Sequence, residues 1–279
     1  MPEIIRPIYR ERPIRVAVID FDGTLSLLRS GWVEIMVDMM FEVLHPLPGT
    51  TESDTALTNY ITDFVLNLNG RPTIYQMDYF VNEARQRGGD PRSAEFYTQQ
   101  FLNTLNSKAE QRMLAIKSRE TTTEDQLIPG ARAFLTELQM RGVQLTLASG
   151  TPVVHVKHEA EQLGSDHFFE GRIFGPGEKS REFSKLDVMK QTVSHAKCHG
   201  AELLGVGDGF VEIENAKEIG GIAIGCASDE VDRNGRIEDW KRTRLIQAGA
   251  DIIVPDYSNL QKLMEILFPK FPFDALEAG

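Results

Sequence analysis

A short apolar run followed directly by two acids places the tightest constraint on the fold of this chain. Residues 14–19 are mostly apolar and β-branched, and the run leads into Asp20 and Asp22, with Gly23 and Thr24 after them. Such a run is typical of a strand buried on both faces, as in a parallel sheet. In open α/β sheets, ligands bind at the carboxyl ends of the strands. Two acids at that position repel each other, so the pattern favours a bound cation, a shared proton or both.

An ordinary turn also explains these residues. Asp and Gly are common after strands because they suit the geometry of turns. Taken alone, an Asp-x-Asp-Gly sequence therefore leaves both a capped turn and a ligand site open. The choice between them depends on the rest of the chain.

Composition narrows the classes of function. The chain has 279 residues, enough for one large domain or two of moderate size, and its net charge is -11. This charge disfavours a nucleic-acid partner, although local positive charge can still bind a small anion. No apolar run approaches the ~20 residues of a membrane span, so no membrane partner is expected. With only two cysteines, Cys198 and Cys226, the chain favours a reducing cytoplasm over a disulfide scaffold or a zinc site.

Residues 27–126 differ in pattern from the sequence on either side. Met and aromatic residues recur there at helical spacing, between stops formed by Pro and Gly. This stretch contains no convincing strand, and its Met and aromatic side chains are expected to form a core rather than a cofactor site. The pattern predicts an all-helical domain inserted into an α/β domain that consists of residues 1–26 and 127–279.

Strands and helices alternate again after Pro129, with short connections. This order predicts a parallel sheet with helices on both faces, in which residues 14–19 form one strand. Residues 1–13 are expected to form an irregular arm. The other predicted strands are 143–148, 172–174, 202–206, 221–224 and 251–254, and the predicted helices of this part are 131–141, 152–162, 184–193, 211–219, 236–247 and 259–267.

Polar side chains fall at predicted strand ends or helix starts in four places of the α/β part. Each place alone has an ordinary explanation as a helix cap, a solvated lysine or a turn. If all four faced one crevice, acids, a lysine and hydroxyls would gather there without a structural need. The residues are Asp20 and Asp22, Ser149 and Thr151, Lys185, and Asp208 and Glu212.

In order and spacing, these clusters resemble the four motifs of the haloacid dehalogenase-like superfamily. The motifs are 20–24, Ser149, Lys185 and 207–212, and the resemblance covers the α/β part of the chain. It implies a Rossmann-like parallel sheet core with an inserted helical cap, as in phosphoglycolate-phosphatase-like and β-phosphoglucomutase-like members. Dehalogenases lack the second acid, so the presence of Asp22 favours phosphate chemistry over dehalogenation.

The resemblance also implies a role for each acid. Asp20 would be the nucleophile that takes the phosphoryl group as an aspartyl phosphate. Mg²⁺ would be held by side-chain oxygens of Asp20 and Asp208 and by the backbone carbonyl of Asp22. Glu212 would bind the metal through water or orient the other ligands. The Asp22 carboxyl would protonate the leaving alkoxide and then deprotonate the attacking water.

Further residues are implied to contact the phosphoryl group or to support its loops. Ser149 and Lys185 would hold the phosphoryl oxygens and balance their charge. The backbone N–H of Gly150 would add a donor, and Thr24 and Thr151 would support these loops beside the substrate.

Substrate selection would fall to the cap, because the core handles only the phosphate. Residues 25–30 and 121–129 are the candidate hinges. Arg29 and Arg71 are candidate substrate contacts, although surface arginines are commonly solvated. Trp32 and Tyr75 are further candidates, with a place in the core of the cap as the alternative for Trp32.

The resulting hypothesis is a Mg²⁺-dependent phosphatase acting on a small phosphorylated metabolite, such as a sugar phosphate or phosphoglycolate. A phosphomutase of the β-phosphoglucomutase type is an alternative enzyme on the same fold. A catalytically idle binding or regulatory protein is the alternative from another class. The presence of Asp20, Asp22, Lys185 and Asp208 together argues against the idle protein.

Overall fold

The computed structural model describes residues 1–8, 12–68, 72–177 and 183–269. Contacts between residues divide the chain into two compact units. The first consists of Met1–Leu27 and Thr122–Gly279, and the second of Leu28–Thr121. The sequence predicted an α/β sheet with an inserted all-helical part, and this fold class is confirmed.

The first unit is built on one sheet, which has seven strands within the described residues. The strands are β1 (Glu3–Ile4), β2 (Val16–Ile19), β3 (Gln144–Ala148), β4 (Ile173–Phe174), β5 (Leu203–Gly207), β6 (Ile222–Cys226) and β7 (Ile252–Val254). Their order across the sheet is β1-β7-β6-β5-β2-β3-β4. β2 lies near the middle and pairs in parallel with β3 and β5. All four of its residues are buried, as the apolar run predicts for a strand covered on both faces.

The prediction of an irregular N-terminal arm is wrong for two residues. Glu3 and Ile4 form β1, which pairs antiparallel with β7. Glu3 also accepts a 2.7 Å hydrogen bond from Nε of Arg242. A two-residue strand is too short to show periodicity, and what holds it is the row of backbone groups along the edge of β7. The sequence of residues 1–13 alone therefore does not predict this pairing.

Helices cover both faces of the sheet in the first unit. They are α5 (Ala131–Met140), α6 (Val153–Gln162), α7 (Lys185–His195), α8 (Phe210–Ile219), α9 (Asp239–Ala248) and α10 (Leu260–Leu267). α9 begins three residues later than the sequence predicts. The cause is a short pairing with the loop after β6, in which Ile237 bridges Ser228 and the N–H of Glu238 donates to the carbonyl of Ala227.

The second unit is all-helical within its described residues. Its helices are α1 (Trp32–Leu44), α2 (Asp54–Asn67), α3 (Thr73–Gln86) and α4 (Ala94–Ser118). Ser53 and Ser93 cap α2 and α4 by accepting hydrogen bonds from backbone N–H groups of the first turn. The Met and aromatic residues form the core of this unit, as predicted, with Trp32 partly buried against it. Among the described helices of both units, none has the length and apolar character needed to cross a membrane.

Candidate active site

Three adjacent strands bring the predicted residues to one edge of the sheet. Ile19 of β2 is in register with Leu147 of β3 and with Val206 of β5. Asp20 therefore follows its strand beside the residues that follow β3 and β5, among them Ser149 and Asp208. This is the carboxyl edge of the parallel strands, where open α/β sheets bind their ligands.

Asp20 forms a buried ion pair with Lys185. Nζ of Lys185 lies 2.6 Å from Oδ1 of Asp20 and also contacts Oε1 of Glu212. Lys185 is the first residue of α7, and the Ser184 side chain caps this helix by accepting from the N–H of Asp187. The start of α7 thus places one cation between two acids that belong to distant parts of the sequence.

Burial and neighbouring charges set the protonation of this pair. Burial raises the pKa of Asp20 well above its ordinary value, Lys185 opposes that change, and Glu212 and Asp208 add to it. Burial alone would lower the pKa of Lys185, but the Asp20 and Glu212 carboxylates outweigh it and the pKa is raised. The lysine is therefore held as a cation beside the proposed nucleophile.

Thr24 joins the first and fourth motifs. Its hydroxyl donates to Oδ2 of Asp20 at 3.4 Å and accepts from the N–H of Asp208 at 3.0 Å. Its own carbonyl accepts a 3.0 Å hydrogen bond from the hydroxyl of Tyr257. Thr24 is fully buried and its side chain is already engaged within the protein. This arrangement favours a supporting role for Thr24 over direct contact with a substrate.

Asp22 is held by the loop that follows β3. Its Oδ2 accepts hydrogen bonds from the hydroxyls of Thr151 at 2.8 Å and Ser149 at 3.2 Å. Oγ of Ser149 in turn accepts from the N–H of Thr151 at 3.0 Å. The two acids of the first motif thus lie in different surroundings, Asp20 against a lysine and Asp22 against two hydroxyls. Different surroundings allow two carboxyl groups of one site to perform different tasks.

Glu212 packs against the end of β5 because residue 207 is glycine. A Cβ atom at Gly207 would lie 2.6 Å from Cβ of Glu212, closer than real contacts allow. Oε1 of Glu212 contacts Lys185, whereas Oε2 is buried and has no hydrogen-bond partner among the described residues. A buried carboxylate oxygen in this state is costly unless a cation or water satisfies it.

The donor set fits a hard divalent cation that keeps several waters. In the described part of the chain, no group of three or more acidic, His or Cys side chains could hold a metal ion by itself. Mg²⁺ commonly takes only one or two protein carboxylates and completes its shell with water and substrate oxygens. Asp20 and Asp208 would supply two such carboxylates, and the buried Oε2 of Glu212 would bind through water or orient them.

A second buried lysine lies beside Asp208, and the sequence patterns did not indicate it. Nζ of Lys241 lies 2.6 Å from Oε1 of Glu230 and 3.2 Å from Oδ2 of Asp208. Burial raises the pKa of Asp208 to about 6, with Lys241 opposing the rise. The one available signal is position, because Lys241 and Leu245 are the buried residues of α9 and have the spacing of a core stripe.

The remaining predicted contacts fall in different places. Gly150 is exposed, and apart from its chain neighbours no atom of the described residues lies within 4 Å of where its Cβ would be, so these residues leave space for a ligand beside this loop. Arg29 is buried in the turn before α1, in the second unit. Tyr75 lies on α3 with 52% of its surface exposed. Arg71 lies outside the described residues.

Comparison with known families agrees with this geometry. The family model of haloacid dehalogenase-like hydrolases matches residues 14–220. The matched segment contains Asp20, Ser149, Lys185 and Asp208, which the structure gathers at the carboxyl edge of the sheet. The chain therefore belongs to the haloacid dehalogenase-like hydrolases. No curated protein matches it.

Solved structures share the fold at low sequence identity. A predicted phosphoglycolate phosphatase from Haemophilus somnus is 19% identical, with a TM-score of 0.58 over 91% of this chain and 100% of its own. A family hydrolase from Deinococcus radiodurans, with bound phosphate and sodium, is 16% identical, with a TM-score of 0.56 over 92% and 99%. The β-phosphoglucomutase of Clostridium difficile is 14% identical, with a TM-score of 0.57 over 91% and 97%.

Proposed function

We propose that this protein is a Mg²⁺-dependent phosphatase that hydrolyses a small phosphorylated metabolite through an aspartyl phosphate on Asp20. One observation supports this proposal more strongly than the others do. Two acids of one motif, Asp20 and Asp22, are held apart, the first by Lys185 and the second by Ser149 and Thr151. A nucleophile and a separate acid–base group require two carboxyl groups that are held in different surroundings.

The first half of the reaction transfers the phosphoryl group to the protein. An oxygen of the Asp20 carboxylate attacks phosphorus, and the bond from phosphorus to the alkoxide of the metabolite breaks. Lys185, 2.6 Å from Asp20, balances the negative charge that gathers there. The Asp22 carboxyl gives its proton to the departing alkoxide, which leaves as an alcohol.

The second half returns the protein to its starting state. Asp22, now ionised, takes a proton from a water molecule as that water attacks the phosphorus of the aspartyl phosphate. The bond between phosphorus and Asp20 breaks, and inorganic phosphate is released. The hydroxyls of Ser149 and Thr151, bonded to Asp22 Oδ2, keep its carboxylate directed for both proton transfers.

Mg²⁺, when bound, would neutralise part of the charge between the carboxylate and the dianionic phosphate. Asp20, Asp208 and the backbone carbonyl of Asp22 would hold it, with Glu212 acting directly or through water. The support is the oxygen-only donor set and the buried, unsatisfied Oε2 of Glu212. The neighbour from Deinococcus radiodurans carries phosphate and sodium, an anion and a cation on the same fold.

The helical unit would act as a cap that selects the substrate. The residues of the first unit described above recognise only a phosphoryl group and its metal, so they do not distinguish one metabolite from another. Arg29 and Arg71 would contribute to recognition, and residues 25–30 and 121–129 would be the hinges. A sugar phosphate or phosphoglycolate-like compound is the class that the names of the structural neighbours suggest.

The test is the product formed from a panel of phosphorylated metabolites. Phosphorus NMR would follow the panel with Mg²⁺, and then with excess chelator. The proposal predicts inorganic phosphate that appears only with the metal and favours one compound. An isomerised sugar phosphate would instead indicate a phosphomutase, and an unchanged panel would indicate an idle binding protein.

Asp20→Asn is the matched variant for this test. The amide keeps the shape of the side chain but is a poor nucleophile, so turnover should fall by at least about 10³-fold. Its far-ultraviolet circular dichroism should match that of the unchanged protein. Undiminished turnover, in a preparation shown to be free of contaminating phosphatase, would overturn the mechanism.

A further inference from the structure

Lys241 is a buried charge beside the proposed site for which the proposed reaction has no role. Its side chain is 5% exposed, and Nζ lies 2.6 Å from Oε1 of Glu230 and 3.2 Å from Oδ2 of Asp208. It also lies 3.5 Å from Oγ of Ser228. An ammonium group is costly to bury unless paired acids compensate it. Here it lies buried beside a proposed metal ligand.

The partners of Lys241 surround the turn of the first motif. Gly23 has a positive φ of 71°, and a Cβ there would overlap Oδ2 of Asp208 and lie 2.9 Å from Oε1 of Glu230. The hydroxyl of Ser228 donates a 3.0 Å hydrogen bond to the carbonyl of Gly23. The ammonium of Lys241 therefore joins the loop after β5 to the loop after β6, and Ser228 connects it to the turn that carries Asp20 and Asp22.

The charges in this region match one divalent cation. Asp22, which the proposed reaction uses as the proton donor, is left out of this count. The other carboxylates are Asp20, Asp208, Glu212 and Glu230, and the ammonium groups are Lys185 and Lys241. Two negative charges are left over, which a single Mg²⁺ or Mn²⁺ would neutralise. Lys241 thus affects both the charge of the site and the orientation of Asp208, and the two effects need separate tests.

We propose that Lys241 is a positioning residue, which holds the Asp208 carboxylate through Oδ2 in the orientation that binds the metal. The inference rests on the proposed function, because it takes Asp208 as a ligand of the divalent cation. The ammonium fixes one carboxylate oxygen, so that Oδ1 remains for the cation. Outer partners that orient metal ligands in this way typically change metal affinity by about 10- to 100-fold when removed.

The competing explanation is that Lys241 only compensates the charge of Glu230. A double variant, Glu230→Gln with Lys241→Met, separates the two explanations. It removes one negative and one positive charge, so the net charge of the region stays the same. The contact between Lys241 and Asp208 is lost while Glu230 no longer needs a partner. A pure charge-compensating role predicts that this variant binds metal normally.

The experiment measures Mn²⁺ binding to the full-length, metal-free protein by titration calorimetry, together with thermal unfolding without metal. Lys241→Met alone should unfold at a lower temperature, and its Mn²⁺ affinity combines the lost orientation of Asp208, which weakens binding, with one extra negative charge, which strengthens it. The double variant, in which the net charge is unchanged, should regain most of the unfolding temperature and bind Mn²⁺ about tenfold more weakly than the unchanged protein. A double variant that binds Mn²⁺ as tightly as the unchanged protein would overturn the inference.

Two further variants keep the test decisive. Glu230→Met with Lys241→Met replaces the ion pair by two apolar side chains that cannot bond to Asp208, and serves if the first double variant does not fold. Its Mn²⁺ affinity should also be low, and normal affinity would overturn the inference. Lys217→Met is the matched control, because it removes a 2.8 Å ion pair with Asp251 near the far end of α8. It should bind Mn²⁺ normally.

Failure of the inference and failure of the proposed function give different results. If the unchanged protein binds Mn²⁺ but releases no phosphate from any substrate, the proposed function fails. The Mn²⁺ affinity of the double variant, compared with that of the unchanged protein, still tests the role of Lys241. If phosphate is released and the double variant binds Mn²⁺ normally, only the inference fails. An unchanged protein that binds no Mn²⁺ would overturn both.

Discussion

The hydroxyl of Thr151 donates a 2.8 Å hydrogen bond to Oδ2 of Asp22, across a sequence separation of 129 residues. The bond connects the loop after β3 with the loop after β2, and Ser149 reinforces it through the same carboxylate oxygen. Asp22 is thereby turned towards hydroxyls, while Asp20 lies against Lys185. The proposed separation of nucleophile and acid–base group depends on this relationship.

Thr151→Val tests that relationship directly. Valine keeps the shape of the side chain but cannot donate to Asp22, and a hydrogen bond to a charged group contributes about 1.5–3 kcal/mol. We expect kcat to fall by about tenfold or more on that scale, with Mn²⁺ affinity unchanged because the Asp22 side chain stays off the metal. Steady-state kinetics and titration calorimetry measure the two quantities. Thr136→Val is the control, since that hydroxyl is exposed and donates to a backbone carbonyl of its own helix. Weaker Mn²⁺ binding in Thr151→Val would contradict the assignment.

Tyr257→Phe tests the support of the first loop. The Tyr257 hydroxyl donates to the buried carbonyl of Thr24 at 3.0 Å, and its ring stacks on Phe134 with centroids 4.5 Å apart. The variant keeps the stacking but leaves the carbonyl unsatisfied, so the free energy of unfolding should fall by about 1–2 kcal/mol. Urea unfolding measures this change. Tyr75→Phe, at an exposed position, should leave it unaltered, and equal effects of both variants would refute the role of Tyr257.

Metal binding should weaken as the pH falls through the pKa of Asp208. Burial raises this pKa from 3.8 to about 6 in the metal-free protein. A raised pKa means that the folded protein binds the proton more tightly than the unfolded chain. Its contribution to stability is therefore complete below about pH 4 and is lost as the pH rises through about 6. Because the proton and the cation compete for the same carboxylate, Mn²⁺ affinity should rise over that interval.

Calorimetric titrations between pH 5 and 8 would measure this dependence. Asp208→Asn serves as the control, because it removes the titrating group and should bind Mn²⁺ weakly at every pH. An affinity for Mn²⁺ in the unchanged protein that does not vary with pH would show that Asp208 is not a ligand.

The pKa of Glu52, in the helical unit, gives a prediction that does not depend on the candidate active site. Hydrogen bonds from Arg87, with smaller contributions from backbone N–H groups of Thr51 and Glu52, lower the pKa of Glu52 from 4.5 to about 2. Such a group stabilises the fold above its ordinary pKa and loses that effect as the pH falls through about 2. In Arg87→Met the pKa of Glu52 should return towards 4.5, as carboxyl carbon NMR would show. A Glu52 pKa that stays near 2 in that variant would exclude Arg87 as the cause.

Part of this architecture is predictable from sequence because it depends on local patterns. The buried strand Val16–Ile19, within the run 14–19, is apolar throughout. Ser53 and Ser93 are N-cap residues of the type that sequence patterns identify. Parallel strands place their carboxyl ends at one edge, so residues that follow several strands meet there. The gathering of Asp20, Ser149 and Asp208 required no further information.

Other features depend on partners that the local sequence does not contain. Lys241 has the spacing of a buried position on its helix, but the local sequence does not show which acid it meets, and only packing brings it to Asp208. Glu230 and Ser228 belong to a loop without a motif. Residues 236–238 also depend on a distant partner, because their pairing with the loop after β6 prevents α9 from starting earlier. Tertiary contacts overrule local preference at each of these positions.

The central claim is that Asp20 carries the phosphoryl group during turnover. The most direct test is acid-quenched mass spectrometry of Asp22→Asn, incubated with Mg²⁺ and 4-nitrophenyl phosphate. The leaving group of this substrate needs no proton, whereas hydrolysis of the intermediate needs Asp22, so the intermediate should accumulate. The account predicts a mass increase of one phosphoryl group, which peptide mapping places on Asp20 and which is absent from Asp20→Asn with Asp22→Asn. Release of 4-nitrophenol without any adduct, or an adduct on another residue, would contradict it.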